Sequence, residues 1–244
     1  MNERRLSVTN SLIIINVVVF LAGLMVQKEA FLGIPYPQAP KTSIFEILGA
    51  YSWFTCFLQG ELWRLITYQF VHANFGHILF NMWALYFFGP AVENAMGPRR
   101  FLCFYLACGV AGALFSSLLA GLDLYTSLPD TAETQFICST VASFAGYQGH
   151  VLCWQMIPLV GASAAIYGIM VACAFMYPDA LISLIFPPVT LRLRTFAIII
   201  IALATCVILF NLDNAGGEAG HLGGGIMGAI VMSIWKYRIL HRRY

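Results

Sequence analysis

The stretch LIIINVVVFLAGLMV, residues 12–26, carries one polar side chain, Asn16, and no charge. With its neighbours it forms an apolar run over 11–27, close to the roughly 20 residues needed to cross the hydrocarbon layer of a bilayer. Arg4 and Arg5 precede it, and Lys28 and Glu29 follow. The run is longer than the core of a signal peptide, so it reads as a retained first span. Further apolar runs occupy Phe75–Asn94, Phe101–Gly121, Pro158–Tyr177, Leu193–Leu212 and Ala219–Trp235. Between them lie Gly97-Pro98-Arg99-Arg100, Asp123, Pro178-Asp179 with Pro187-Pro188, and the segment Asp213 to Glu218. The runs are continuous rather than alternating, which excludes a membrane β-barrel. The expected fold is an all-α polytopic membrane protein, a bundle of six transmembrane helices.

Composition agrees with that reading. Of the 244 residues, 60% are hydrophobic and 10% charged, against roughly 25% charged in a soluble domain; mean hydropathy is +0.79. Too few charges remain to cover a soluble surface, and disordered chains are poor in apolar residues. A net charge of +2 gives no basic field for nucleic acid. The seven cysteines form no CxxC and no Cys/His cluster, which argues against a metal site. No cofactor is expected.

Orientation follows from the basic residues. With the N-terminus inside, ten of the thirteen fall on inner segments: Arg4, Arg5, Arg99, Arg100, Arg192, Arg194, Lys236, Arg238, Arg242 and Arg243. Both termini are therefore expected to be cytoplasmic. The organisation reads as a cytoplasmic N-terminus (1–10), a first transmembrane helix (11–27), an outer interfacial loop (28–74), a core of five helices (75–236) and a basic cytoplasmic tail (237–244). The loop 28–74 mixes Pro35, Pro37 and Pro40 with Trp53, Phe54, Phe57 and Trp63, a composition suited to the headgroup level. A second outer loop, 123–156, is rich in Ser and Thr and reads as irregular. Its Cys138 and Cys153 either pair, as an oxidising outer side permits, or stay as two partly buried thiols.

Polar groups at membrane depth are costly and therefore candidates for function. The second span opens with His77 and Asn81, the fourth with Gly161-Ala162-Ser163, and the sixth with Gly220-His221. All three spans enter from the outside, so these side chains share one depth. Ser163 lies in a small-residue stripe, and Gly224 and Gly228 form a GxxxG pair that lets helices pack closely. Docking of these faces would bring Ser163 to His221, the minimum activated nucleophile. Taken alone, Ser163 reads as packing, His221 as an interfacial histidine bonded to a carbonyl, and His77 with Asn81 as polar links between helices.

The set resembles the rhomboid intramembrane serine proteases over about Trp63 to Trp235. Trp63-Arg64 is similar to the family's WR pair, His77 with Asn81 to its HxxxN, and Gly89-Pro90-Ala91-Val92-Glu93 to its GxxVE. Gly161-Ala162-Ser163 resembles its GxS, and His221 with Gly224 and Gly228 its HxxGxxxG. Ala164 stands where the commonest family pattern has Gly. The resemblance implies Ser163 as nucleophile and His221 as general base, a dyad without a carboxylate. It implies His77, Asn81 and the Ser163 N–H as oxyanion donors and Tyr167 as support for the His221 ring. Arg64, like Glu93, would be structural. The implied substrates are transmembrane segments of other proteins, cut within the lipid bilayer of a bacterial inner (plasma) membrane, with no nucleic acid and no metal involved. Two rivals remain. An inactive rhomboid-like chaperone or binding protein is opposed by the complete dyad, and a channel or transporter by the lack of mid-span acids. There is no HExxH of a zinc protease and no membrane-embedded pair of Asp residues.

Overall fold

A computed structural model describes residues 6–31, 34–35, 41–125, 131–184 and 188–241. Arg4, Arg5, Pro37, Pro40, Pro187, Arg242, Arg243 and the Arg238 side chain lie outside the described residues. The chain opens with α1 (Val8–Met25), followed by strands β1 (Gln27–Phe31), β2 (Ile34–Pro35) and β3 (Lys41–Ser43) and by the short helices α2 (Ile44–Gly49) and α3 (Arg64–Thr67). Then come α4 (Phe75–Met96), α5 (Pro98–Gly121), α6 (Ala132–Phe144), α7 (Cys153–Met156) and α8 (Ser163–Met176). A hairpin of β4 (Leu181–Ser183) and β5 (Thr190–Arg192) leads into α9 (Leu193–Leu209) and α10 (Ala215–His241).

Among the described residues, α1, α4 and α5 are long and apolar enough to cross a membrane, and α8 and α9 are shorter apolar helices. The outer faces of these helices expose Val18, Leu21, Phe80, Phe87, Leu118 and Leu203, an apolar surface that water would not tolerate over such an extent. Inside, Leu85, Val92, Phe101, Tyr105 and Ile169 form the main core. The Glu93 carboxylate accepts from Val8 N (2.7 Å), Thr9 N (2.8 Å) and Thr9 Oγ1 (2.6 Å). It thereby satisfies orphan donors at the α1 N-terminus and complements the helix dipole, tying α1 to the far end of α4.

Two segments differ from the sequence expectation. The described part of 28–74 carries regular structure: β1 pairs antiparallel with both β2 and β3, and short helices follow. Within the second loop, Ala132–Phe144 form α6 where irregular chain was expected, because Cys138, Val141 and Ala142 make one apolar face on it and Thr131 caps it through Thr134 N. That face packs with Ile34, Phe54, Val151, Cys153 and Met156 into a second small core. A disulfide joins Cys138 to Cys153 across 15 residues of sequence. A cross-link over such a span is worth about 3 kcal/mol in the chain-entropy model. Reduction is therefore expected to loosen α6 and α7, read as faster limited proteolysis within 131–156; equal rates with and without reductant would show that the bond contributes nothing.

Candidate active site

The approach to α8 explains where Ser163 stands. The sequence favoured a helix from Pro158, but Leu159 is extended and bridges Tyr51, with N–H to O=C distances of 2.7 and 3.0 Å. Gly161 then turns the chain at φ +112° while its N–H donates to Tyr68 O at 2.9 Å. Only glycine adopts that conformation freely. Ser163 is consequently the first residue of α8, where the backbone N–H groups have no intrahelical acceptor.

His221 is placed by α10, which packs on both α5 and α8 along a glycine seam. A Cβ added at Gly224 would land on the Ala164 carbonyl oxygen, and one at Gly228 would lie 2.6 Å from Gly168 O. On the other side, a Cβ at Gly223 would lie 2.9 Å from Ala111 O of α5. Ala164 is accommodated in the same way, since its methyl faces Gly112, where an added Cβ would come within 2.5 Å of it. The missing side chain at 112 is the physical reason why alanine fits beside the serine.

The seam brings Ser163 Oγ to 2.7 Å from His221 Nε2. The Tyr167 ring stacks on the imidazole, with centroids 4.2 Å apart and planes 11° apart. Sequence reasoning expected no carboxylate here, yet Glu218 Oε2 lies 2.9 Å from His221 Nδ1. The physical reason is that α10 begins at Ala215 rather than at Ala219, which puts Glu218 and His221 on one helical face at i, i+3.

The α4 helix closes the other wall. Asn74 caps it by accepting from His77 N at 2.9 Å, so His77 and Asn81 stand one turn apart at its start. Both line one open cleft of about 490 Å³ with Ser163, Tyr167 and His221. A Cβ at Gly161 would lie 2.5 Å from His77 Nε2 and 3.6 Å from Asn81 Nδ2, so the glycine also makes room for both donors. No residue of α6 or α7 is among those lining the cleft.

His72 was not singled out from the sequence. It is buried behind the cleft, 5.0 Å from the His77 ring, and its Nε2 accepts from Ala162 N at 3.5 Å. Burial, reinforced by His77, pushes its imidazole down to about 3, so it stays neutral and acts as an acceptor. A lone histidine in a loop gave no spacing by which to find it. Arg64 stands apart from the cleft: it is buried, pairs with Glu61 and donates to Ala50 O at 2.8 Å. Among the described residues no group of His, Cys, Asp and Glu could hold a metal ion.

The arrangement supplies a hydroxyl nucleophile, a base in contact with it, and N–H donors facing the same space. The Rhomboid domain family matches residues 59–238. The rhomboid protease AarA of Providencia stuartii is 29% identical over 71% of this chain and 56% of its own length. The rhomboid protease GluP of Bacillus subtilis is 31% identical over 68% of this chain and 25% of its own length. An inactive rhomboid-like protein 8 of Arabidopsis thaliana is 33% identical over 32% of this chain and 22% of its own length. The chain thus spans between about a fifth and just over half of the length of these relatives.

Proposed function

The chain belongs to the rhomboid family, and we propose that it works as an intramembrane serine endopeptidase on transmembrane segments of other membrane proteins. The observation that carries this reading is the 2.7 Å contact between Ser163 Oγ and His221 Nε2 at the wall of an open cleft. It is an integral membrane protein, with α1, α4, α5, α8, α9 and α10 as six spans and both termini cytoplasmic. The asymmetry of Lys and Arg supports that orientation, as does the Cys138–Cys153 bond on the opposite side. Its membrane is then a bacterial plasma membrane, in keeping with relatives from Providencia and Bacillus.

Depth follows from length. With 14 residues, α8 is about 21 Å long at 1.5 Å per residue, short of a hydrocarbon layer of about 30 Å. Ser163, at its outer end, sits below the membrane surface at the floor of a cleft open to water, where a helical substrate unwound near its end could reach it.

In the reaction, Ser163 Oγ attacks the scissile carbonyl carbon while its proton passes to His221 Nε2. The carbonyl π bond opens and its electron pair becomes the oxyanion, facing the N–H donors of His77, Asn81 and Ser163. Collapse re-forms the carbonyl and breaks the C–N bond, and the imidazolium returns its proton to the leaving amine. Water then repeats the attack on the acyl-enzyme, giving its proton to His221, and the Ser163 oxygen leaves with that proton. Tyr167 holds the ring in plane throughout.

His77→Ala and Asn81→Ala are each expected to lower kcat about 100-fold with KM little changed, because such donors act in the transition state. Steady-state kinetics on both variants check this, and unchanged kcat in both would remove them from the site. The test of the function itself is incubation of the reconstituted protein with a panel of transmembrane substrates, wild type beside Ser163→Ala. Cleavage by the wild type alone supports the reading. Substrate binding without any cleavage would favour the other reading, an inactive rhomboid-like binding protein.

A further inference from the structure

A serine–histidine pair works only while the imidazole presents an unprotonated Nε2 to the hydroxyl, so the proton of the neutral ring must reside on Nδ1. Here Glu218 Oε2 lies 2.9 Å from Nδ1, and the contact is made within one helix, at i, i+3, so it needs no alignment of separate elements. The ring is held on three sides: Glu218 at Nδ1, Ser163 at Nε2 and Tyr167 against its face. His77 of α4 also lies close enough to interact with it electrostatically. The side chains of His221 and Glu218 are 15% and 20% exposed, so the pair is partly screened from water while remaining reachable from it.

A carboxylate in the first turn of a helix also serves the helix dipole, and that role alone would account for a glutamate at this place. It would not account for the direction of the side chain, which reaches one turn forward to Nδ1 of His221. We propose that Glu218 is a positioning residue that turns the Ser163–His221 pair into a three-membered relay. It accepts Nδ1–H, fixes the tautomer and stabilises the imidazolium that forms when Nε2 takes the serine proton. The Nδ1 proton stays on Nδ1, and no proton moves to the carboxylate. This inference rests on the proposed protease reading and deepens it.

The experiment compares Glu218→Ala, Glu218→Gln and Glu218→Asp with wild type and Ser163→Ala, all as full chains in liposomes, with thermal unfolding as the check on fold. Removing the carboxylate of a fully buried relay costs about 10,000-fold; for this partly exposed one, kcat is expected to fall about 10- to 100-fold in the Ala and Gln variants, with KM unchanged. Glu218→Asp keeps the charge and is expected to retain more activity than Gln, although Gln keeps the length. Added formate is expected to restore part of the lost kcat in Glu218→Ala and nothing in Ser163→Ala. A helix-stabilising role would lower the unfolding temperature, leave kcat intact and give no rescue. Wild-type kcat in the Ala and Gln variants beside a dead Ser163→Ala would overturn the inference and leave the protease reading standing. If no substrate in the panel is cut, the rate at which a fluorophosphonate labels Ser163 reads the same pair. Equal rates in wild type and Glu218→Gln overturn the inference, and a wild type that neither cuts nor labels overturns the protease reading and the inference together.

Discussion

Ser163→Ala will abolish cleavage, with kcat falling on the order of 10,000-fold or more, and His221→Ala will do the same. The two side chains touch at 2.7 Å and in the proposed reaction act as one proton-transfer unit, whose members are grossly non-additive. The double variant is therefore expected to be no slower than either single one. Unfolding temperatures should stay close to wild type, since both side chains are only partly buried and line an open cleft. A fluorophosphonate should label the wild-type protein at Ser163 and fail on both variants. Losses that add in the double variant would mean two separate structural roles and would sink the catalytic pairing.

The next largest effect is expected far from any reacting atom. Gly224→Val puts a Cβ onto the Ala164 carbonyl oxygen, and Gly228→Val puts one 2.6 Å from Gly168 O. Backbone cannot rotate away as a side chain can, so α10 must move off α8. Overpacking of this kind costs about 1–3 kcal/mol in stability, and a shift of about 1 Å in a catalytic group costs roughly 100-fold in rate. Gly224→Val, with the closer clash, should show the larger loss of kcat, together with slower labelling of Ser163. Full activity in both variants would mean that the seam does not set the position of His221.

The meeting of Ser163 with His221 was legible from sequence because two independent signals agreed. Polar residues recurred at the same end of alternate spans, and small residues followed them at helical spacing. The helix starts were not legible. Pro158 to Ala162 is as apolar as a span, and only the Tyr51–Leu159 bridge and the positive φ of Gly161 keep it out of α8. Conversely, Ala215 to Glu218 looks like a turn, with two glycines and an acid, yet it is the first turn of α10. That difference of one turn hid Glu218. In a loop it would be a solvated charge, whereas in the helix it shares a face with His221. The α6 helix was hidden for another reason: its buried face is three residues wide among Ser and Thr, and it is stabilised by contacts with Phe54 and Ile34 from a distant part of the chain. Patterns repeated along the chain were readable, and those completed by a remote segment were not.

The glycine seam has an entropic consequence. Glycine and alanine have no rotamers to surrender, so joining α5, α8 and α10 through Gly112, Ala164, Gly168, Gly224 and Gly228 freezes backbone but almost no side-chain motion. The separation between the backbones that carry Ser163 and His221 is then fixed by peptide atoms in mutual contact, which leaves only the few torsions of these two side chains to be set. In the proposed reaction, the ordering that a solution reaction must supply at each encounter would be completed once, when the chain folds, and every later turnover would begin from elements already aligned.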